Sequence, residues 1–286
     1  MSNSTTPGEV DHNLYGYDPS KTAAYAFVAL FVVSGFLHLI FIFTLRAAFF
    51  IPLILGSAME AGGYYCRAWS TANTHNILPF VIQGLLILAA PPLLAATIYM
   101  TFGRIVRNLK GEVYSLISPK WLTAIFVLAD VICLATQLAG SVLRASDDAA
   151  TNKRGSGIVL GGLILQVVIF CLFAILASNF HIRFGRIENG HIALPWVKHM
   201  VVLYTMSLVF IIRNLVRILE FTQGDDGYLV THESMLYVFD GAFMLFVVVL
   251  LLFVHPGGLF KAARHAMLMT VLGLSNEMAP ISASKR

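Results

Sequence analysis

Charged residues are scarce in this sequence. Only 12% of its 286 residues are Asp, Glu, Lys or Arg, whereas 58% are hydrophobic; a soluble domain has about 25% charged residues. A soluble core of this size could not bury so much apolar surface, but a lipid bilayer can solvate it. The composition therefore predicts an all-α integral membrane protein, and the length suits one compact membrane domain.

The usual signatures of several functional classes are missing. No basic run is interleaved with aromatic residues, so nucleic acid is not an expected partner. The three cysteines, Cys66, Cys133 and Cys171, show no CxxC spacing and predict no disulfide framework. No GxSxG, HExxH, P-loop or dinucleotide fingerprint is present. We therefore expect a protein that is not an enzyme, binds no cofactor and does not hydrolyse ATP.

Long apolar stretches are abundant. A bilayer core about 30 Å thick is crossed by about 20 apolar residues in a helix. Seven stretches qualify, and the sequence predicts a bundle of seven transmembrane helices at residues 22–45, 49–68, 78–103, 121–143, 157–178, 197–219 and 234–254.

The distribution of Lys and Arg predicts the orientation. Loops 1, 3 and 5 together with the C-terminal tail hold twelve of these residues, and the opposite side holds four. The richer side is expected to be cytoplasmic. This gives an extracellular segment at 1–21, where Asn3 begins a possible glycosylation sequon, a transmembrane domain at 22–255 and a cytoplasmic tail at 256–286.

Three local patterns predict details of the bundle. Pro91 and Pro92 should kink the third helix. Gly157-x-x-x-Gly161 with Gly162 predicts a close approach of the fifth helix to a neighbour. After His255-Pro256-Gly257-Gly258, an amphipathic pattern predicts a short interfacial helix, whose lipid-facing residues would be Leu259, Phe260, Ala263 and Met267.

The most informative residues are the polar ones inside the predicted spans. Each ionisable residue in a bilayer costs roughly 2.5–3.5 kcal/mol on insertion scales. Those in helices 2, 6 and 7 recur at i, i+4 and i+7, and those in helix 4 at i and i+7, so each set lies on one helix face. We expect the four faces to meet in the external half of the bundle, joined there by Gln83 and near the middle by Gln166. The candidate residues are Glu60, Tyr64, Arg67, Gln83, Asp130, Gln137, Gln166, Arg213, Arg217, Glu220, Glu233, Tyr237 and Asp240.

Two interpretations of this cluster are open. It could only hold the helices together, or it could form a polar pocket or pathway that opens outward. Polar contacts between membrane helices contribute only about 0.6 kcal/mol on average, which is little against the cost of burying so many charges. We therefore favour the pocket, in which Glu60, Arg217 and Asp240 should matter most.

The histidines leave catalytic and haem-binding alternatives. His38, His199 and His255 all fall toward the predicted cytoplasmic half. Three histidines there could hold zinc, as in membrane ceramidase-like hydrolases, and a histidine pair could ligate haem. Histidines at such positions more often serve as plain hydrogen-bonding residues.

The motifs together resemble those of the fungal resistance-to-aminocholesterol-like (RTA-like) proteins, also called lipid-translocating exporters. The resemblance covers nearly the whole chain and is most specific in helices 2, 6 and 7. The residues that carry it are Tyr17-Asp18-Pro19-Ser20, Glu60-x-x-Gly63-Tyr64-x-x-Arg67, Ala90-Pro91-x-x-x-Ala95-Ala96-x-x-Tyr99, Asp130 with Gln137-x-x-Gly140, Gly162-Leu163-x-x-Gln166, Arg213-x-x-x-Arg217-x-x-Glu220, Glu233-x-x-x-Tyr237-x-x-Asp240 and His255-Pro256-Gly257.

The resemblance implies a seven-helix protein, most often of the fungal plasma membrane, linked to resistance to toxic amphiphiles, release of sphingoid bases and porphyrin uptake. The leading hypothesis is a protein that binds and helps translocate an amphipathic lipid or lipid-like compound, with membrane lipids as its surroundings. Glu60 or Asp240 would pair an amine, and Arg217 an anionic head group. The alternatives are a receptor-like sensor of lipid asymmetry, a porphyrin or haem transporter and a zinc-dependent lipid hydrolase.

Overall fold

The computed structural model describes residues 15, 19–45, 47–72, 76–144, 148–188, 196–223 and 227–261. Within these ranges the chain is built of helices. Their bounds are α1 Lys21–Leu45, α2 Ile51–Ser70, α3 Ile77–Asn108, α4 Pro119–Arg144, α5 Ala149–Glu188, α6 Trp196–Gln223, α7 Tyr228–Thr231, α8 Glu233–Leu236 and α9 Phe243–Phe253, with short 3₁₀ turns at Ala48–Phe50 and Glu112–Tyr114 and a π-helical turn at Tyr237–Ala242.

Six helical segments of the described chain are long and apolar enough to cross a membrane. They are α1, α3, α4, α5, α6 and the segment from Glu233 to Lys261, which we call the C-terminal helical segment. α2 has 20 residues, is less apolar, and packs against both α1 and α3. The prediction of an all-helical membrane bundle is confirmed for these six helical segments.

α5 is much longer than predicted. It covers 40 residues, whereas hydrophobicity alone predicts a helix over 157–178. The additional turns lie at both ends of the predicted span, and those at the start are polar. They follow Asp148, which accepts hydrogen bonds from the Thr151 hydroxyl at 2.6 Å and the Thr151 amide at 2.9 Å. These bonds hold the pKa of Asp148 below its ordinary value. Hydropathy marks the apolar part of a helix, but a capping residue marks its start.

The C-terminal helical segment is not one regular helix. It contains a π-helical turn over Tyr237–Ala242, which includes Asp240. Gly241 lies in this turn, and a Cβ atom there would come within 2.7 Å of both Phe27 and the Tyr64 hydroxyl. Glycine therefore lets the π turn approach α1 and α2 closely. Single π turns within helices are frequent at functional sites.

The contact between α4 and α5 depends on glycines, but not on all those that the sequence indicates. A Cβ atom on Gly155 would lie 2.7 Å from main-chain atoms of α4, and one on Gly162 would lie 2.6 Å from a side-chain oxygen of α4. Gly140 on α4 is equally crowded. Gly157 and Gly161 face open space, so the predicted role of the Gly157-x-x-x-Gly161 pair is wrong. Gly155 and Gly162 are seven residues apart and share one helix face.

The predicted interfacial helix is only partly described. Residues 256–261 are helical. Leu259 is buried in the hydrophobic core, so the expectation that it faces lipid is wrong. The Phe260 ring packs 5.6 Å from that of Phe49. Ala263 and Met267 lie outside the described residues, as does Asn3. α3 continues through Pro91 and Pro92, which are both buried; the kink there stays a prediction.

Replacing Gly155 by Ala should destabilise the protein. The new methyl group would meet main-chain atoms of α4, which cannot move aside without separating the two helices. Overpacking of this kind costs about 1–3 kcal/mol. Gly157→Ala is the matched control, because a methyl group there meets nothing and alanine favours the helix. Thermal unfolding in detergent should give a lower Tm for Gly155→Ala only; equal Tm values would contradict this packing.

Candidate functional site

The charged residues gather at one end of the bundle, which we call the amino-terminal end because α1 begins there. α2 ends at this end with Ser70 and α6 ends with Gln223. The C-terminal helical segment starts there. The polar faces predicted for helices 2, 6 and 7 therefore do meet, and in the structure they lie on α2, α6 and the C-terminal helical segment.

Arg67 on α2 forms the outermost ion pair of this group. Its Nη2 atom lies 2.8 Å from Oε1 of Glu233, and its Nε atom donates to the Tyr237 hydroxyl at 3.2 Å. The guanidinium also lies 5.3 Å from the ring centre of Tyr15. Both carboxylate oxygens of Glu233 accept from the Ser20 amide at 2.9 Å. The start of α1, the end of α2 and the start of α8 are thus tied together.

Asp240 is the carboxylate shared by two arginines of α6. Nη2 of Arg213 lies 2.9 Å from its Oδ1 atom, and Nη2 of Arg217 lies 2.8 Å from its Oδ2 atom. Arg217 also pairs with Glu220 at 3.1 Å. The arginines are four residues apart on one face of α6, and the π turn carries Asp240 between them. Because removing a charge from water is costly, such buried pairs persist only with good geometry.

Glu60 on α2 lies beside this group and has no exposed surface. Its charged neighbours are Arg213, Asp240 and Arg217, yet neither of its oxygens has a hydrogen-bond partner among the described residues. Tyr64, one turn further along α2, stacks on the Phe27 ring at 5.0 Å. A buried carboxyl group without a hydrogen-bond partner is unfavourable, so Glu60 is an unsatisfied acidic group beside the ion pairs of the described residues.

A cavity of about 210 Å³ adjoins these ion pairs. Arg67, Arg217, Glu220 and Asp240 contribute charged groups of both signs to its wall, and Gln83 contributes an amide. The remaining wall is largely aromatic and aliphatic. The other lining residues are Tyr15, Phe80, Val216, Leu229, Val230, His232, Met235, Leu236 and Phe239. We call this space the polar cavity.

The polar residues of α4 do not join this network. Gln137 donates to Gln166 on α5 at 3.0 Å, and Asp130 lies beside the hydroxyl of Tyr99 on α3. The expectation that the polar faces of helices 2, 4, 6 and 7 all meet is therefore wrong for helix 4. Helical periodicity identifies a polar face, but it does not say which neighbour that face contacts, and α4 packs chiefly on α3 and α5.

Sequence reasoning missed the contribution of the segment before α1. The Tyr15 hydroxyl donates to Gln83 at 3.2 Å, and its ring packs edge-on against Phe80 at 5.2 Å. Tyr15 is only 6% exposed. The available signal was an aromatic residue within a polar segment, which we interpreted only as an extracellular extension.

His38 and His255 lie close together toward the opposite end of the bundle. The His38 and His255 rings lie 6.0 Å apart, but each interacts with the main chain: Nε2 of His38 lies 3.0 Å from the Val248 carbonyl oxygen, and Nδ1 of His255 accepts from the Gly257 amide. Across the described residues, no group of three or more His, Cys, Asp or Glu side chains is arranged to hold a metal ion. This arrangement gives the zinc-hydrolase alternative no support.

Comparison with known proteins identifies the family. The family described as "RTA1 like protein" matches residues 53–263. The chain belongs to this family. It is 34% identical to Protein RTM1 of Saccharomyces cerevisiae, over 86% of this chain and 91% of that protein, so the predicted resemblance is confirmed.

Other relatives of this RTA1-like protein have functional names. It is 35% identical to Protoporphyrin uptake protein 1 of Saccharomyces cerevisiae, over 82% of this chain and 89% of that protein. It is 25% identical to the Sphingoid long-chain base transporter RSB1 of the same species, over 88% of this chain and 76% of that protein. No solved structure matches. The names of these relatives describe transport proteins rather than enzymes.

Arg67 should be essential for stability. Removing one partner of a buried ion pair costs about 3–5 kcal/mol, and Arg67→Met would leave Glu233 without its guanidinium. Arg107→Met is the matched control, because Arg107 is exposed at the other end of α3. We expect a clear fall in the thermal unfolding temperature for Arg67→Met alone. Equal unfolding temperatures for the two variants would contradict a structural role of the pair.

Proposed function

We propose that this RTA1-like protein binds an amphipathic lipid or lipid-like compound in the polar cavity and helps to move it across the membrane. The observation that carries the proposal is the cavity itself, in which charges of both signs face a common space within an otherwise apolar bundle. The ion pairs themselves connect the helices, but a structural role alone would not require a cavity beside them. Of the candidate residues identified from the sequence, we propose for binding those that line the cavity, which are Arg67, Gln83, Arg217, Glu220 and Asp240.

The cavity wall offers partners for a cationic head group. Among the candidate residues it carries two arginines, Arg67 and Arg217, and two carboxylates, Glu220 and Asp240. Glu220 is the more exposed of the two carboxylates, and a primary amine would approach both from the cavity. Arg217 forms ion pairs with both carboxylates, and it would bind an anionic group on the same ligand.

The relatives support this class of ligand. A sphingoid long-chain base, named for one relative, carries an amine and hydroxyl groups on a single long hydrocarbon chain. Protoporphyrin, named for another, is a flat apolar ring with two carboxylates. The chain is more similar to the protoporphyrin uptake protein than to the sphingoid-base transporter. We therefore keep porphyrin as a second candidate ligand, with its carboxylates near Arg67 and Arg217. Neither candidate requires catalysis, and we propose a non-enzymatic role in the plasma membrane.

We also propose seven transmembrane helices, with residues 1–21 outside and residues 256–286 in the cytoplasm. α2 supplies the seventh crossing, because 20 helical residues at 1.5 Å per residue reach about 30 Å. α2 lies between α1 and α3 in the chain, and it contacts both along the bundle. The twelve Lys and Arg residues on one side, against four on the other, support the orientation.

Reporters at the two termini test this topology. An odd number of crossings should place a tag before residue 1 and a tag after residue 286 on opposite sides of the membrane, with the N-terminal tag outside. Protease protection in sealed vesicles and in intact cells reads out both positions. Tags on the same side would contradict the seven-helix topology.

Glu220→Gln tests the binding proposal with little risk to the fold, because the Glu220 side chain is 27% exposed and lines the cavity. Removing a charged partner of an ammonium group should weaken binding of a fluorescent sphingoid base by about tenfold or more. Glu112→Gln, an exposed acid at the opposite end, is the matched control. Purified protein in liposomes gives both binding and transfer between leaflets.

Three outcomes of the liposome experiment are informative. Protein-dependent transfer that falls in Glu220→Gln, but not in Glu112→Gln, supports the carrier. Binding without transfer supports the receptor-like sensor instead. Equal binding by both variants contradicts the assignment of the polar cavity. Asp240→Asn adds a further check, since a loss of stability with an unchanged ligand response would indicate that the ion pairs only hold the helices together.

A further inference from the structure

A second, larger space lies beside the polar cavity. It has a volume of about 560 Å³ and lies between α3, α4, α6 and the C-terminal helical segment. We call it the lateral groove. Its wall is mainly aliphatic, with Val81, Leu85, Leu88, Leu138 and Val142 among its lining residues. The polar cavity is smaller and carries most of the charge.

The two spaces adjoin. Phe80, Gln83, Arg217 and Leu236 line both of them. A molecule in the groove would therefore have one end beside the Gln83 amide and the Arg217 guanidinium. The rest of the molecule would lie mostly against hydrocarbon side chains, although Arg144 of α4 also lines the groove.

The groove is open toward the surroundings of the bundle. Val81 is 45% exposed, Leu85 is 43% exposed and Val142 is 73% exposed. In a membrane-spanning bundle such exposed aliphatic side chains face lipid. The groove therefore opens sideways into the bilayer, whereas the polar cavity lies at the amino-terminal end.

The path of α3 and α4 explains the opening. Near its other end, α3 touches α4 closely, since a Cβ atom on Gly103 would lie 3.1 Å from the Pro119 carbonyl oxygen. Toward the amino-terminal end, α4 is instead drawn against α5 through its contact at Gly140 and Gly155. A Cβ atom on Gly84 of α3 would meet nothing within 4 Å. The two helices diverge, and the groove lies between them.

We propose that the lateral groove binds the single long alkyl chain of an amphiphile whose head group occupies the polar cavity, and that the ligand enters sideways from the surrounding leaflet. This inference rests on the proposed function and adds the route and the position of the chain. The polar and apolar halves of such a ligand match the two adjoining spaces. Because lipid tails are as apolar as leucine, moving a chain from the bilayer into the groove gives little hydrophobic gain. The groove therefore orients and admits the chain, while the polar cavity supplies the affinity.

Filling the groove at Gly84 tests the route. Gly84→Phe would place a ring in the open space between α3 and α4. Gly161→Phe is the matched control, because Gly161 also faces open space, but on α5 and away from the groove. For a fluorescent C18 sphingoid base in liposomes, we expect at least a tenfold slower transfer in Gly84→Phe and an unchanged rate in Gly161→Phe. Equal transfer rates in the two variants would overturn the proposal and would indicate that the groove holds only ordinary bilayer lipid.

A short-chain probe separates this inference from the proposed function. A water-soluble C4 amino alcohol needs only the polar cavity, so its binding should be unchanged by Gly84→Phe and weakened by Glu220→Gln. Sensitivity of the C4 probe to Glu220→Gln with unchanged C18 transfer in Gly84→Phe would refute the groove alone. Insensitivity of both probes to both substitutions would refute the polar cavity as well.

A photoreactive alkyl chain gives a readout that needs no substitution. A C18 sphingoid base with a diazirine in mid-chain should label peptides of α3 and α4 that contain Leu85 or Val142. Excess unlabelled C18 base should abolish this labelling, and excess C4 amino alcohol should also reduce it, because its head group occupies the same polar cavity. Labelling spread evenly over the lipid-facing helices, including α5, would overturn the proposal.

Discussion

The bundle depends on the carboxylate of Asp240, which lies between two guanidinium groups. Arg213 and Arg217 reach it at 2.9 and 2.8 Å, and the π turn that carries it requires glycine at position 241 to fit against α1 and α2. In a membrane none of these charges could remain unpaired without a large cost. The position of α6 relative to the C-terminal helical segment is therefore fixed by electrostatics as well as by packing. Glu60 and Glu220 lie beside the same two arginines and Asp240.

Much of the fold follows from hydrophobicity, because a bilayer fixes the length and polarity of any helix that crosses it. The long apolar helices were predicted within a few residues at most of their ends. The exception was α5, which extends beyond the predicted apolar span at both ends and whose polar first turns carry no hydropathy signal. The π turn at Tyr237–Ala242 was likewise not predicted, since helical periodicity does not reveal the tertiary contacts of Gly241 with Tyr64 and Phe27.

The site was predicted only in part, because the sequence shows which residues share a helix face but not which neighbour that face contacts. Spacing along a helix determines which residues share a face, and this correctly grouped Arg213 with Arg217, which both contact Asp240, and Glu233 with Tyr237, which both contact Arg67. It does not determine the partner of that face. The polar residues of α4 consequently pair with α3 and α5, through Asp130 beside Tyr99 and Gln137 with Gln166. Tyr15 was missed because its contacts with Gln83 and Arg67 depend on how the chain folds back over the bundle.

A polar cavity beside an apolar groove is suited to a molecule that has a polar head group and an apolar chain. The central claim is that such an amphiphile binds here, and an experimental structure in lipid nanodiscs with a C18 sphingoid base tests it most directly. We predict density for the head group beside Arg217, Glu220 and Asp240, with the chain running between α3 and α4 past Gly84. An empty polar cavity at saturating ligand, or density only elsewhere on the protein, would contradict the claim.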